Sequence, residues 1–240
     1  MITNGFRRLF SSSNIKDSNP LSQEYIQYFE SSYPSNHTYK IIDGQFYPKR
    51  KLASRYKTIR QYFPEKMTSF AEIGSSKGFF VFSASQLPHC TRALGIDVNS
   101  YDIEMCQWLK GRLQNPRVSF AKLRLHELGE RIHEFGGPFQ TVLLLNTYQY
   151  LYFGSDACGD AYFNHDLIFS NLRKICSQRI IFNNRIALAD CQNTEKINQA
   201  GYHSQNYSEE AIQKAAAKYF TITERGKYGR YPLWTLEARD

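Results

Sequence analysis

The chain has 240 residues, 42% of them apolar and 15% aromatic, with a formal net charge of +8. That length suits one large domain or one domain with an added arm, and the apolar share is enough for a proper core, which excludes wholesale disorder. The positive balance points to an anionic partner without separating nucleic acid, phosphorylated small molecules and acidic proteins.

Residues 1–20 read as a tail rich in Ser and Asn. Its start, MITNGFRRLFSSSNIK, has two arginines and no acid before Asp17. This is either a weakly basic tail or an organelle-type leader. LSQEYIQYFESSY (21–33) is expected to be a short helix, with Ser22 as cap and Tyr25, Tyr28 and Phe29 on one face. A polar, proline-containing linker comes next. In KRKLASRYKTIRQYF (49–63), Leu52, Tyr56, Ile59 and Phe63 recur at helical spacing. Six basic residues and no acid lie between 49 and 60, so this helix is expected to carry one apolar and one cationic face. We therefore divide the chain into a tail (1–20), a helical extension (21–66) and an α/β domain (67–240).

From Thr68 the pattern alternates. TSFAEI (68–73) is a strand and the segment after Gly78 a helix. RALGIDV (92–98) is a strand. SYDIEMCQWLKGRL (100–113) is a helix capped by Ser100, with Ile103, Trp108 and Leu109 inward. RVSFAKL (117–123) is a third strand. QTVLLLN (140–146) is apolar almost throughout, as a central strand buried on both faces would be. A helix over 163–176 leads to QRIIFNN (178–184), another strand. SEEAIQKAAAKYF has Ser208 as cap and two acids in its first turn, so it is a helix. YFTITER and YPLWTLEA, joined by GKYGR, form an antiparallel pair. Alternating strands and helices imply right-handed crossovers and a mostly parallel sheet.

The five cysteines (90, 106, 158, 176 and 191) have neither C-x-x-C nor zinc spacing. They read as buried, reduced thiols of a cytoplasmic protein. No run reaches the roughly 18 apolar residues of a membrane span.

Two features carry chemistry. In EIGSSKG, Gly74 permits a sharp turn and Gly78 a close approach by a ligand or by the helix start. In a doubly wound sheet this loop, at the carboxyl end of the first strand, is where a ligand is expected. Nineteen residues past Gly78, LGIDVNS ends its strand in Asp97, which is placed to accept hydrogen bonds from a ribose diol. The competing reading of Asp97 is a helix cap, a role for which Asn99 and Ser100 stand closer. The G-x-G-x-x-G of a dinucleotide site is absent, and acidic Glu72 would repel a pyrophosphate while suiting a cationic amino-acid moiety.

In EIGSSKG, GIDVNS, TVLLLNTYQYL and the final strand pair, the chain resembles the class I S-adenosylmethionine-dependent methyltransferases over roughly residues 50–240. The resemblance implies a Rossmann-like, doubly wound, seven-stranded and mostly parallel sheet with an antiparallel last strand, preceded here by the helical extension. It further implies a methyltransferase with S-adenosylmethionine as cofactor. Glu72, Gly74, Ser75 and Gly78 would surround the methionine part and Asp97 the ribose. Leu125, His126 and Glu127, after the third strand, are candidates near the adenine, and His126 is also a possible general base. Asn146, where the fourth strand delivers residues to the active site, would touch cofactor and acceptor, with Tyr148 and Tyr150 as further candidate catalytic residues.

NTYQ lacks the two prolines of the base-amine methyltransferases, and the loop has no cysteine for a covalent pyrimidine mechanism. No carboxylate cluster marks a metal site. The expected reaction is methyl transfer to an oxygen or nitrogen of a small-molecule acceptor. The aromatic insertion 151–165, with Tyr152, Phe153, Tyr162 and Phe163, would lid that acceptor or pack on the sheet. Two other functions compete. One is an RNA-modifying enzyme whose basic segment 49–60 tracks phosphates, with a weak resemblance to enzymes acting on the tRNA wobble uridine. The other is a non-catalytic partner or sensor protein of the same fold.

Overall fold

The computed structural model describes residues 20–192 and 194–239. The expected tail at 1–19 lies outside them. The chain divides into two compact units, Met1–Ser54 and Arg55–Asp240, the division falling inside a helix.

The described part of the first unit opens with α1 (Pro20–Ser31). Because this helix starts at Pro20, Ser22 stands inside its first turn and not ahead of it, and proline is well suited to a position where the missing N–H would go unused. The expected linker is instead a hairpin, β1 (Tyr39–Ile42) and β2 (Gln45–Pro48), paired antiparallel. Its two-residue turn is Asp43–Gly44, with φ of 50° and 72°. Positive φ at both positions is the geometry that matches strand twist, and Asp-Gly favours it. Phe29 packs on Tyr39 (ring centroids 5.5 Å apart) and Tyr39 on Phe46 (5.7 Å), giving this unit its own small core. Helix α2 (Arg50–Arg60) comes next and crosses the division. Among its basic residues Arg55 is buried at 6% exposure, so the expected cationic face loses one member to the interior.

The second unit holds a seven-stranded sheet. In chain order its strands are β3 (Ser69–Ile73), β4 (Arg92–Asp97), β5 (Val118–Lys122), β6 (Phe139–Leu145), β7 (Cys176–Asn183), β8 (Phe220–Tyr228) and β9 (Tyr231–Ala238). They lie in the order β5-β4-β3-β6-β7-β9-β8. The first five pair in parallel, and β9 inserts antiparallel between β7 and β8. The connections therefore reverse direction at β3, and the carboxyl ends of β3, β4, β6 and β7 share one rim. That rim is where such sheets take ligands.

Helices α3 (Phe79–Ser85), α4 (Ser100–Leu113), α5 (Leu125–Glu130), α6 (Tyr148–Phe153), α7 (His165–Ile175), α8 (Thr194–Gln199) and α9 (Glu209–Ala216) complete the unit. Strands β3 and β6 are buried along almost their whole length, as helices on both faces require. Phe182 of β7 and Trp234 of β9 sit directly opposite, with rings stacked 5.0 Å apart, fixing the antiparallel strand to the parallel ones. Helix α4 is capped by Asn99, whose side chain accepts from the Tyr101 and Asp102 amides; Ser100 is its first residue. Its inward face is Ile103, Met105, Cys106 and Leu109, while Trp108 is only half-buried. Ser208 caps α9 as expected, accepting from the Ala211 amide. Four of the cysteines are buried and Cys158 is half-exposed; all five are free.

The region expected as an aromatic insertion splits in two. Tyr148, Tyr152 and Phe153 lie on α6 and are buried with His165 and Tyr207. Tyr162 and Phe163 are half-buried in the loop before α7.

Candidate functional site

The site is built from the loops that leave the strands at the carboxyl rim. After β3 the chain turns through Gly74 (φ +73°), Ser76 (φ +45°) and Gly78 (φ +70°), the last immediately before α3. A Cβ at Gly74 would stand 2.5 Å from the Thr147 Oγ1, and one at Gly78 2.7 Å from the Phe120 ring. Both glycines are thus required by left-handed backbone and by protein packed against them.

The loop's amides are largely spent. Gly74 and Ser75 N–H both donate to the Ile96 carbonyl at 2.9 Å, Gly78 N–H donates to the Ser75 carbonyl at 2.8 Å, and Ser76 N–H donates to Asp97 Oδ2 at 2.9 Å. With these four amides already bonded within the protein, the turn has few N–H groups left to cradle a pyrophosphate. Its unpartnered polar atoms are an acceptor and a hydroxyl: Glu72 Oε2 and Ser75 Oγ are buried without a hydrogen-bond partner.

Glu72 is the fourth residue of β3 and is 6% exposed. Burial holds its carboxyl well above the usual carboxylate range; Arg55 pulls it down and Asp97 pushes it further up. Arg55 itself is lowered by burial and stabilised by Glu72. Sequence reading misses this arginine as a site residue, because its spacing places it on a helix with a solvated cationic stripe. Lys77, inside the loop and 1% exposed, likewise gives no sign of its burial in the sequence.

Asp97 ends β4. Oδ2 accepts from Ser76 N–H and Oδ1 from Asn99 N–H at 3.0 Å. An ionised carboxylate offers about four lone-pair sites, so the group keeps acceptor capacity beyond these two bonds. Burial raises its pKa, and the Asn99, Ser76 and Val98 amides oppose that rise. Asn99 takes the capping role, which leaves Asp97 with the loop.

After β5, Leu125 is buried in the core, and Glu127 accepts from the Arg124 amide at 2.6 Å, closing the start of α5. His126 is half-buried. Its backbone N–H donates to the Tyr162 hydroxyl at 2.9 Å, and its Nδ1 lies 3.0 Å from the same oxygen. Tyr162 is therefore tied to the loop after β5 and not freely presented to an acceptor. Burial pushes its phenol up to about 12.

After β6, Asn146 adopts φ +55°, and its N–H donates to the Asn183 carbonyl at 2.9 Å. Its Oδ1 is buried with no hydrogen-bond partner. Thr147 Oγ1 reaches the carbonyls of Ile73 (3.2 Å) and Leu145 (3.1 Å), tying this turn to the end of β3. Tyr148 corrects the expectation of a catalytic residue. It is fully buried, and its hydroxyl lies 2.7 Å from His165 Nδ1. His165 Nε2 faces the Asn206 carbonyl at 3.0 Å, which requires a proton on Nε2. In the neutral ring Nδ1 then accepts, and Tyr148 donates to it. Tyr150 is half-buried on α6.

The end of β7 supplies residues that sequence reading does not single out. Asn184, fully buried, accepts from the Thr147 amide at 2.8 Å and the Tyr148 amide at 2.9 Å, and donates to the Leu144 carbonyl at 2.8 Å. Asn183 donates to the carbonyls of Tyr231 and Pro232. Both asparagines clamp the turn after β6 against its neighbours. The signal available is the pair of amides, Asn183 and Asn184, ending an apolar strand.

Glu72, Gly74, Ser75, Gly78, Asp97 and Asn146 thus lie on one rim. Among the described residues, no group of three or more His, Cys, Asp or Glu is placed to hold a metal, and no helix is long and apolar enough to cross a membrane.

No protein-family model and no curated protein sequence matches the chain. Solved structures do. The PH0226 protein from Pyrococcus horikoshii OT3 aligns with a TM-score of 0.56 at 13% identity, over 80% of this chain and 92% of that one. The N-methyltransferase NodS from Bradyrhizobium japonicum WM9, in complex with S-adenosylhomocysteine, aligns with a TM-score of 0.52 at 14% identity, over 78% of this chain and 87% of that one. An O-methyltransferase family protein from Burkholderia thailandensis gives 0.53 at 11% identity, over 79% of this chain and 57% of that one. The chain has the class I S-adenosylmethionine-dependent methyltransferase fold, with the expected seven-stranded sheet and antiparallel last strand.

Proposed function

We propose that the protein transfers a methyl group from S-adenosylmethionine to an oxygen or nitrogen of a small-molecule acceptor. The observation that carries this reading is Asp97, held between the Ser76 and Asn99 amides with acceptor capacity to spare, beside a loop in which the Gly74, Ser75, Ser76 and Gly78 amides are occupied. That arrangement suits a ribose diol and disfavours a dinucleotide pyrophosphate. Glu72 Oε2, buried and unpartnered, suits the cationic amino-acid end.

When bound, the cofactor supplies an electrophilic methyl on a sulfonium. The chain's part is alignment and exclusion of water. Asn146, with its unpartnered Oδ1 at the end of β6, is the residue to orient a hydroxyl or amine of the acceptor, and the Asn184 clamp keeps its turn rigid. Tyr148 has no part in proton removal, because its hydroxyl is committed to His165. Tyr150 remains a candidate contact.

Of the competing readings, RNA modification draws support from the exposed cations of α2. Two of them, Lys57 and Arg60, line a groove of about 670 Å³ with Tyr56, Phe63, Met67 and His89. Its lining residues precede β3 and β4, so it opens at the amino ends of the strands, about 16 Å of strand away from the rim. That distance favours the small-molecule acceptor.

The test is calorimetric titration with S-adenosylhomocysteine of the parent protein and of Asp97→Ala, with NAD as control. Saturable binding, weakened at least about 30-fold in the variant (roughly 2 kcal/mol for two charge-assisted hydrogen bonds) and absent with NAD, is expected. Folded parent protein that fails to bind would leave the fold as a scaffold without this cofactor.

A further inference from the structure

We propose that the methyl acceptor is an anion, a small molecule whose carboxylate or phosphate is held by Arg185. The inference rests on the methyltransferase reading and names the substrate class that its site would take.

Arg185 comes directly after Asn183 and Asn184 on the carboxyl rim, beside the Asn146 turn that those two asparagines hold. Its backbone is fixed from the opposite side, where the Tyr207 hydroxyl donates to its carbonyl at 2.6 Å. Its side chain is 9% exposed and lies on Tyr231, with the guanidinium carbon 4.9 Å from the ring centre and Nε donating to the Tyr231 hydroxyl at 3.1 Å. One edge of the fork is thereby oriented.

The other edge has nothing to bind. Arg185 makes no ion pair among the described residues, and its two terminal amino groups donate no hydrogen bond there. Neither of them belongs to the buried polar atoms left without partners, so both keep contact with solvent. With the residue only 9% exposed, these two groups keep a narrow opening to solvent.

An arginine cannot shed its charge, and a guanidinium largely removed from water without a counter-ion is costly. The surroundings add to that cost. Arg55 is close enough to Arg185 to repel it, while Glu72, the buried carboxylate nearby, already balances Arg55. The Tyr231 hydroxyl also accepts from Arg230 at 3.2 Å, and Arg230 is served by Asp190 at 3.6 Å. Glu72 thus faces Arg55 and Asp190 faces Arg230, while Arg185 has no carboxylate paired with it among the described residues. A bidentate oxyanion is the ligand that completes the set, since carboxylate and phosphate match the planar fork. A recessed fork held on an aromatic ring grips one such group on a small molecule and does not track a long polyanion.

The test uses the full chain saturated with S-adenosylhomocysteine, titrated with inorganic phosphate and separately with benzoate at constant ionic strength, chloride serving as the control anion. The parent protein, Arg185→Gln and Arg185→Lys are compared, after the affinity of each for S-adenosylhomocysteine has been measured alone. We expect saturable binding of one or both anions to the parent, at least tenfold weaker in Arg185→Gln and intermediate in Arg185→Lys. The affinity for S-adenosylhomocysteine should change by less than threefold in either variant. Which anion binds more tightly assigns the acceptor as carboxylate or phosphate. Normal S-adenosylhomocysteine binding with no anion binding, or with equal anion binding in Arg185→Gln, overturns this inference and leaves the methyltransferase reading standing. Loss of S-adenosylhomocysteine binding in the parent overturns that reading instead. Arg185→Lys keeps the charge and an aliphatic stem while losing the fork and its stacking on Tyr231, so weakened anion binding in this variant decides the matter if the glutamine variant does not fold.

Discussion

Asn184→Ala should destabilise the second unit severely while removing no apolar contact of consequence. The side chain serves two amides, Thr147 and Tyr148, and one carbonyl, Leu144, all at 2.8–2.9 Å, the last two in a region closed to water. A buried polar group left without its partner costs about 1–3 kcal/mol. Three such groups, with partial relief from water entering the space of the deleted amide, give a loss of roughly 3–5 kcal/mol. That is a large part of the roughly 5–15 kcal/mol by which domains are stable. In thermal unfolding it corresponds to a drop of roughly 6–20 °C for a unit of this size. Asn184→Asp separates the contributions by pH. The carboxylate still accepts from both amides, but only its protonated form can donate to the Leu144 carbonyl. Its folded pKa would therefore lie above the unfolded value of about 3.9. The sign comes from linkage: the stabilisation is complete below that value and is lost as pH rises through the folded pKa. Denaturant titrations of both variants between pH 4 and 8 provide the measurement. An alanine variant within 1 kcal/mol of the parent, or an aspartate variant that gains stability toward pH 8, refutes the clamp.

Gly74→Ala should cost the roughly 1–2 kcal/mol of left-handed backbone plus the clash with Thr147, whose hydroxyl is held by two carbonyls and cannot swing aside. Gly201→Ala, at φ +54° with open space around it, should show the backbone cost alone, and urea unfolding of the two compares them. His165 is held below its usual pKa by burial. Its stabilisation is present above the unfolded value of about 6.5 and is lost as pH falls through the folded pKa, so the melting temperature should decline on acidification below that point. In His165→Gln the decline should flatten, and an unchanged slope would show that another group governs it.

The parts legible in the sequence are those that periodicity and turn chemistry encode over a few residues. All seven strands of the sheet are located from runs of apolar residues, and the longer helices from the 3.6-residue period, while the six-residue helices Leu125–Glu130, Tyr148–Phe153 and Thr194–Gln199 are too short to show one. The Gly74–Gly78 turn and the strand end at Asp97 announce themselves because special backbone and a carboxylate at a strand terminus are local facts. Even the Asp43–Gly44 hairpin is written there, in a dipeptide that favours positive φ twice, although the short flanking strands conceal it.

Tertiary structure decided which polar groups face the rim. Arg55 reads as one more cation on a basic helix, and only the folding of the second unit buries it close to Glu72. Tyr148 reads as a residue offered to a substrate, and the register of α6 turns it inward to His165. Asn184 meets Thr147 across 37 residues of chain and Arg185 meets Tyr231 across 46. The physical reason is the same in each case. A pattern of apolar spacing states that a side chain is on the inner or outer face of its own element, but a hydrogen bond or ion pair is a property of two elements. Which element lies opposite is settled by the order β5-β4-β3-β6-β7-β9-β8, and that order exists only once the sheet has assembled.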